Sequence, residues 1–123
     1  MVEINISFIK LAFKIFDVKV PLFRVSELKE EGSDISGVST DMVVSLCESV
    51  KADILVAGVS GKDYLDMDVM KQNNIKVVFQ KFEQPHYNQK HGEFLPYMSF
   101  LDLLFNFGKE AAIKILGKSD YEY

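Results

Sequence analysis

An α/β fold is predicted for this 123-residue chain, as a small three-layer domain with a short, mostly parallel three-stranded sheet flanked by helices. Three observations predict it. Segments with apolar residues at helical spacing alternate along the chain with shorter runs of strand character, which is the pattern of an α/β architecture. One of those runs, Ile54-Leu55-Val56-Ala57, is continuously apolar and closed by Gly58, as in a strand buried on both faces. With 48% hydrophobic and 26% charged residues, the composition is that of one globular domain with a real core. The predicted domain spans residues 1–117 and is followed by a polar tail at 118–123.

Taken in order, residues 2–17 form the first predicted helix. Its polar positions Glu3, Ser7, Lys10, Lys14 and Asp17 recur at helical spacing and make one narrow solvent stripe. The rest of the surface, including Ile4, Phe8, Ile9, Leu11 and Phe13, is apolar around more than half the circumference. That is wider than a helix lying on one sheet needs. A cover is expected from elsewhere in the chain, from a second copy or from a preceding segment. A short strand is predicted at Val20–Val25, with Pro21 near its start, where a missing N–H is tolerated. Residues 27–38 are polar and contain Gly32 and Gly37, so they read as a loop with room for one helical turn. Ser39-Thr40-Asp41 then supplies capping oxygens and an acid for a helix over about 40–51, in which Val43, Leu46, Cys47 and Val50 are spaced for burial. After the strand at 54–57 come a glycine-bearing turn, a helix near 66–73 and a strand over Lys76–Phe82. The last helix starts at Ser99 and runs to Leu116.

Charge and composition exclude some functions. The net charge of −4 argues against nucleic acid, whose binding needs concentrated positive charge. No apolar run reaches the ~20 residues that span a bilayer, and Glu3 stands where a secretory leader would be basic. A cytoplasmic location is expected. Cys47 is the single cysteine and lies in an apolar helical pattern, so it reads as a packed thiol.

The chemistry concentrates in the stretch from Pro85 to Gly108, which holds both histidines and two of the three prolines. Its first part is a long loop rich in side chains that hydrogen-bond or stack, and long ordered loops tend to be functional. His86 is a candidate for acid/base work or polar substrate contact, since imidazole exchanges a proton near neutral pH. His86 and His91, with Glu83 and Glu93 nearby, match no zinc signature, and no metal site is assigned. In the helix that follows, Ser99 is a natural N-cap and Asp102 sits where a capping-box acid would. Asn106 lies one turn after Asp102 on the same face of an otherwise apolar segment. These two polar groups either satisfy buried backbone or face a ligand.

A second candidate is the turn Gly58-Val-Ser-Gly61-Lys-Asp-Tyr64. It is not a P-loop, because Val56 occupies the first glycine position and Asp63 follows Lys62. Two readings stay open: a small-residue turn holding an anion with its amides and Lys62, or a tight strand-to-helix connection with Lys62 solvated. Both stretches follow strands, and ligands of such sheets collect beyond the strands' carboxyl ends.

These motifs carry a resemblance. The run Gly58-Val-Ser-Gly61-Lys-Asp-Tyr64-Leu65, then Asn74-Ile75-Lys-Val77, Pro85-His-Tyr87-Asn-Gln89, Phe94-Leu-Pro96 and Ser99-Phe-Leu-Asp102-Leu-Leu-Phe-Asn106-Phe-Gly108, together with Thr40 and Cys47, resembles the WbqC-like protein family over most of residues 4–110. That family is found in gene clusters for O-antigen and other surface polysaccharides. Its members are longer by an N-terminal half, so this chain looks like the C-terminal half alone. Family members also often place histidine just before the loop proline, where this chain has Gln84, with His86 after it instead. The resemblance implies a part in making surface glycans, acting on an activated sugar or transferring a small group to one, which would make an enzyme of this kind a transferase on nucleotide-sugar substrates. Under it, Asp102 and His86 are the catalytic candidates, with Asp102 as the base. Ser60, Gly61, Lys62 and Tyr64 would hold phosphate, and Tyr87, Gln89 and Asn106 would read a sugar or base edge. No cofactor is named by the residues or by the resemblance. The alternative is a non-catalytic or split half, working as a partner of a separate N-terminal half or of a second copy.

Overall fold

The computed structural model describes residues 1–116 and the backbone of 119–122, so the predicted tail at 118–123 is described by its backbone alone, over 119–122. Two compact units divide the chain, one holding Met1–Pro21 and the segment from Phe82 through the last helix, the other holding Leu22–Lys81. Among the described residues there are five helices and one parallel pair of strands.

In the second unit, α2 (Val25–Glu30) and α3 (Thr40–Ser49) precede β1 (Ile54–Gly58). A 3-10 turn over Val59–Asp63 and α4 (Met67–Gln72) then lead into β2 (Lys76–Phe82). The two strands pair in parallel, with Ile54 opposite Lys76 and Gly58 opposite Gln80. Asp66 caps α4 by accepting from the amides of Asp68 and Val69, as an aspartate before a helix does. Side chains of α3, α4 and both strands meet in one core of Val44, Cys47, Ala57, Leu65, Met70, Ile75 and Val77, with Met70 wholly enclosed. Burial of each larger side chain in such a core contributes about 1.5–3 kcal/mol.

The expected three-stranded sheet is corrected here, because the strand placed at Val20–Val25 does not form. Val20, Leu22 and Phe23 are exposed, so no face of that segment is buried, and Pro21 cannot donate to a ladder. Instead Val25 opens α2, whose start is held by an ion pair between Arg24 Nε and Glu27 Oε1 at 3.5 Å. The parallel pairing is therefore two strands wide. A second correction follows from it: β1 is not buried on both faces, because Ile54 and Val56 are exposed while Ala57 points into the core.

In the first unit, α1 (Val2–Phe16) and α5 (Phe100–Leu116) contact each other, and the loop 83–99 packs on α5. Tyr87, Leu103 and Ala112 form the core, with Phe16, Phe94, Leu104, Ile115 and Leu116 against it. Only the end of α1 joins this packing: Phe16 meets Phe100 edge to face at 5.9 Å, while Val2, Ile4, Phe8, Ile9 and Leu11 remain exposed. The over-wide apolar face expected from the sequence is thus largely open to solvent. Gly108, at φ 74° and ψ 175°, breaks α5 into two helical stretches. A short strand, β3 (Ser119–Glu122), ends the described backbone, and beyond Ser119 it groups with the second unit.

Candidate functional site

In the first unit, four of the residues singled out in the sequence come together around one carboxylate. The start of α5 is fixed by Ser99, whose Oγ accepts from the amide of Leu101 at 3.3 Å, so Asp102 enters on the first turn. Its side chain does not reach back as a capping-box acid. Asp102 Oδ2 instead accepts from the Tyr87 hydroxyl at 2.8 Å and from Gln89 Nε2 at 3.1 Å. Asn106, one turn on, donates from Nδ2 to the Asp102 carbonyl at 2.7 Å and to Asp102 Oδ1 at 3.2 Å. Helical spacing brings Asp102 and Asn106 to one face, and the loop supplies Tyr87 and Gln89 opposite them.

Gln89 has a second task. Its Nε2 also donates to the carbonyl of Leu95 at 2.9 Å, and its Oε1 accepts from the amide of Leu95 at 2.8 Å. One side-chain amide thereby pairs with a backbone residue as a strand neighbour would, and this closes the base of the 89–95 loop. Tyr87 is buried at 7% exposure, and its ring meets Phe94 at 5.4 Å and Phe107 at 5.8 Å, both edge to face. Burial, and then the hydrogen bond to Asp102, push its phenol above the ordinary tyrosine value. The geometry leaves Asp102 with a defined capacity. A carboxylate has about four acceptor positions, and with two bonds on Oδ2 and one on Oδ1 a further position remains on Oδ1.

His86 is not part of this network. Its ring lies on Phe94 at 4.2 Å between centroids, tilted by 38°. Phe94 is the residue that sequence reasoning missed: it lies within the motif but was given no role, although it carries both His86 and Tyr87. Two cavities adjoin the network. One, of about 210 Å³, is walled mainly by apolar groups, with Gln84, Tyr87 and Ser99 among them. The other, of about 360 Å³, is lined by Asn88, Gln89, Lys90, Phe105, Asn106 and Phe107.

Ser60, Gly61, Lys62 and Tyr64 belong to the second unit. Gly61 is buried, and a Cβ there would stand 3.0 Å from the Ala57 Cβ and 3.2 Å from the Phe79 ring, tight enough that these neighbours would have to give. Lys62 Nζ lies 5.1 Å from the centre of the Phe79 ring, a cation–π placement. The Tyr64 carbonyl accepts from Thr40 Oγ1 at 3.3 Å and from Ser39 Oγ at 3.4 Å, and Thr40 Oγ1 accepts from the Asp66 amide at 2.9 Å. Buried Thr40 therefore ties the start of α3 to the turn before α4. Cys47 is buried, and burial followed by the nearby Glu48 charge pushes its thiol up.

Among the described residues no group of three or more His, Cys, Asp or Glu side chains converges as a metal site, and no helix is long and apolar enough to cross a membrane. The chain is 34% identical over 79 residues to the uncharacterized protein Rv1507c of Mycobacterium tuberculosis; the match covers 63% of this chain and 34% of that protein, about a third of its length. No solved structure matches. The profile of the WbqC-like protein family matches residues 1–114, which include the whole Tyr87–Gln89–Asp102–Asn106 network. The chain belongs to the WbqC-like protein family.

Proposed function

We propose that this chain takes part in making surface polysaccharides such as O-antigen, acting on a nucleotide-activated sugar or transferring a small group to a sugar. The observation that carries the reading is the Asp102 carboxylate, held by Tyr87, Gln89 and Asn106 with one acceptor position left on Oδ1. A fixed carboxylate with that position open is suited to take a proton from a sugar hydroxyl as it attacks, because a general base must already be placed within hydrogen-bond reach. The attacking oxygen then forms its bond to the transferred group as the nucleotide or other carrier leaves. Tyr87, Gln89 and Asn106 act as positioning residues for this carboxylate, and His86, exposed on the Phe94 ring, is the candidate to return a proton to the leaving group. Ser60, Gly61, Lys62 and Tyr64 belong to the second unit and are proposed, by themselves, as a turn that holds a phosphate.

Asp102→Asn tests this. It keeps the shape but places an NH2 among three donors and removes the base. The variant is expected to lose transfer activity by at least about a hundredfold, the usual worth of a general base, while circular dichroism stays native. Undiminished activity would remove Asp102 from the mechanism.

A second reading is favoured by α1, none of whose residues is buried and on which Val2 and Ile4 are 63% and 61% exposed. Under it the chain corresponds to the C-terminal half of a longer family member, and α1 docks on a separate N-terminal half or on a second copy. Light scattering after size exclusion distinguishes the readings. A monomer that also fails to bind a separately produced N-terminal half would overturn the second one.

A further inference from the structure

We propose that the groove lined by Asn88, Gln89, Lys90, Phe105, Asn106 and Phe107 seats the pyranose ring of the sugar, with one apolar face of the ring laid on Phe105. This inference rests on the activated-sugar reading above and names where that sugar sits. Three observations carry it. The groove holds about 360 Å³, within the usual range of small-ligand sites, which starts near 300 Å³. Phe105 is 84% exposed, although its neighbours Leu103 and Leu104 turn into the core. The polar groups beside it are amides and an ammonium, which suit hydroxyls that both donate and accept.

The hydrogen-bond inventory separates walls from readers. Gln89 is engaged on both sides of its amide: its Nε2 donates to Leu95 and Asp102, and its Oε1 accepts from the Leu95 amide. It shapes the groove. Asn106 gives its Nδ2 to Asp102, which leaves the Oδ1 acceptor for a sugar hydroxyl. Asn88 and Lys90 flank Gln89 in the loop, and both are exposed. A pyranose presents axial C–H bonds on one face and hydroxyls around its rim. The electron-rich face of Phe105 attracts the C–H bonds, and Asn88, Lys90 and Asn106 meet the rim. Lys90 is the one charged group on the lining, and its ammonium donates to the rim of the sugar. Asn106 belongs both to this groove and to the Asp102 network, which brings a hydroxyl of the seated ring towards the carboxylate.

The test is an NMR titration of the whole chain with UDP-glucose, with UDP alone and with methyl β-glucopyranoside. UDP-glucose is expected to shift the side-chain amides of Asn88 and Asn106 and the ring of Phe105. Phe105→Ala, a surface change that leaves the core intact, is expected to weaken UDP-glucose at least about tenfold and to leave UDP unchanged. Asn88→Ala should weaken it less. UDP-glucose binding that Phe105→Ala does not alter would overturn the groove assignment while leaving the sugar reading in place. Absence of binding by all three probes would overturn both.

Discussion

Tyr87 gives the candidate site a signature that pH can reach. Its phenol is held above the ordinary tyrosine value by burial first and by its bond to Asp102 second. The folded chain therefore keeps this proton longer than the unfolded chain does. The corresponding stability is present below the unfolded value of about 10 and is lost as pH rises through it toward the folded value. Tyr87→Phe removes the titration, so its stability is expected to fall less steeply above about pH 10 than that of the natural chain. Urea denaturation at a series of alkaline pH values checks this, and equal slopes would count against a raised Tyr87 phenol. At this scale much was legible. Asp102 and Asn106 stand out as polar residues one turn apart in an apolar helix, and Tyr87 and Gln89 as loop residues able to reach them. That the four would bind one another was not legible, because only the folded loop determines which acceptors remain. The stacking of His86 on Phe94 was hidden for the same reason, since its partner lies eight positions away across a loop without periodicity.

At the scale of elements, the turn after β1 carries a packing demand beside either of its two readings. Residue types at Gly58–Tyr64 suit either an anion cradle or a tight connection. The close approach of Gly61 to Ala57 and Phe79 establishes a packing need whatever else the turn does. Gly61→Ala is expected to cost about 1–3 kcal/mol, as over-packing does, because the Ala57 Cβ is fixed to a strand and cannot swing aside. A chemical denaturation midpoint within error of the natural chain would show that the turn relaxes freely. The helices at 40–51 and 66–73 were legible to within a residue or two from their apolar spacing, although Ser39 and Thr40 turn their hydroxyls to the Tyr64 carbonyl instead of capping the first of them. The strand at 20–25 was misread because β-branched and aromatic residues favour strands only where a neighbour and a buried face exist. Neither is present there. Nor did the sequence reveal that α5 breaks at Gly108, since a glycine within a helical pattern signals a weak point without stating its angles.

At the scale of the whole chain, the apolar residues that composition totals gather, among the described residues, in two buried clusters, each built by its own set of elements. Composition totals the apolar residues and is blind to how they are partitioned. Separate cores make separate responses. Gly61→Ala is expected to raise amide hydrogen exchange around Met70 and Val77 well before it does so around Leu103, and a uniform rise would mean that the units open together. The amide clip made by Gln89 on Leu95 bears on how this chain can be altered. Because the clip ties the two ends of the loop at its base, the tip at His91-Gly92-Glu93 is mechanically isolated from what the base presents. A fluorophore, an epitope or a few inserted residues at Gly92 would be carried as passengers, which makes that tip the natural place to tether the chain or follow it in a cell.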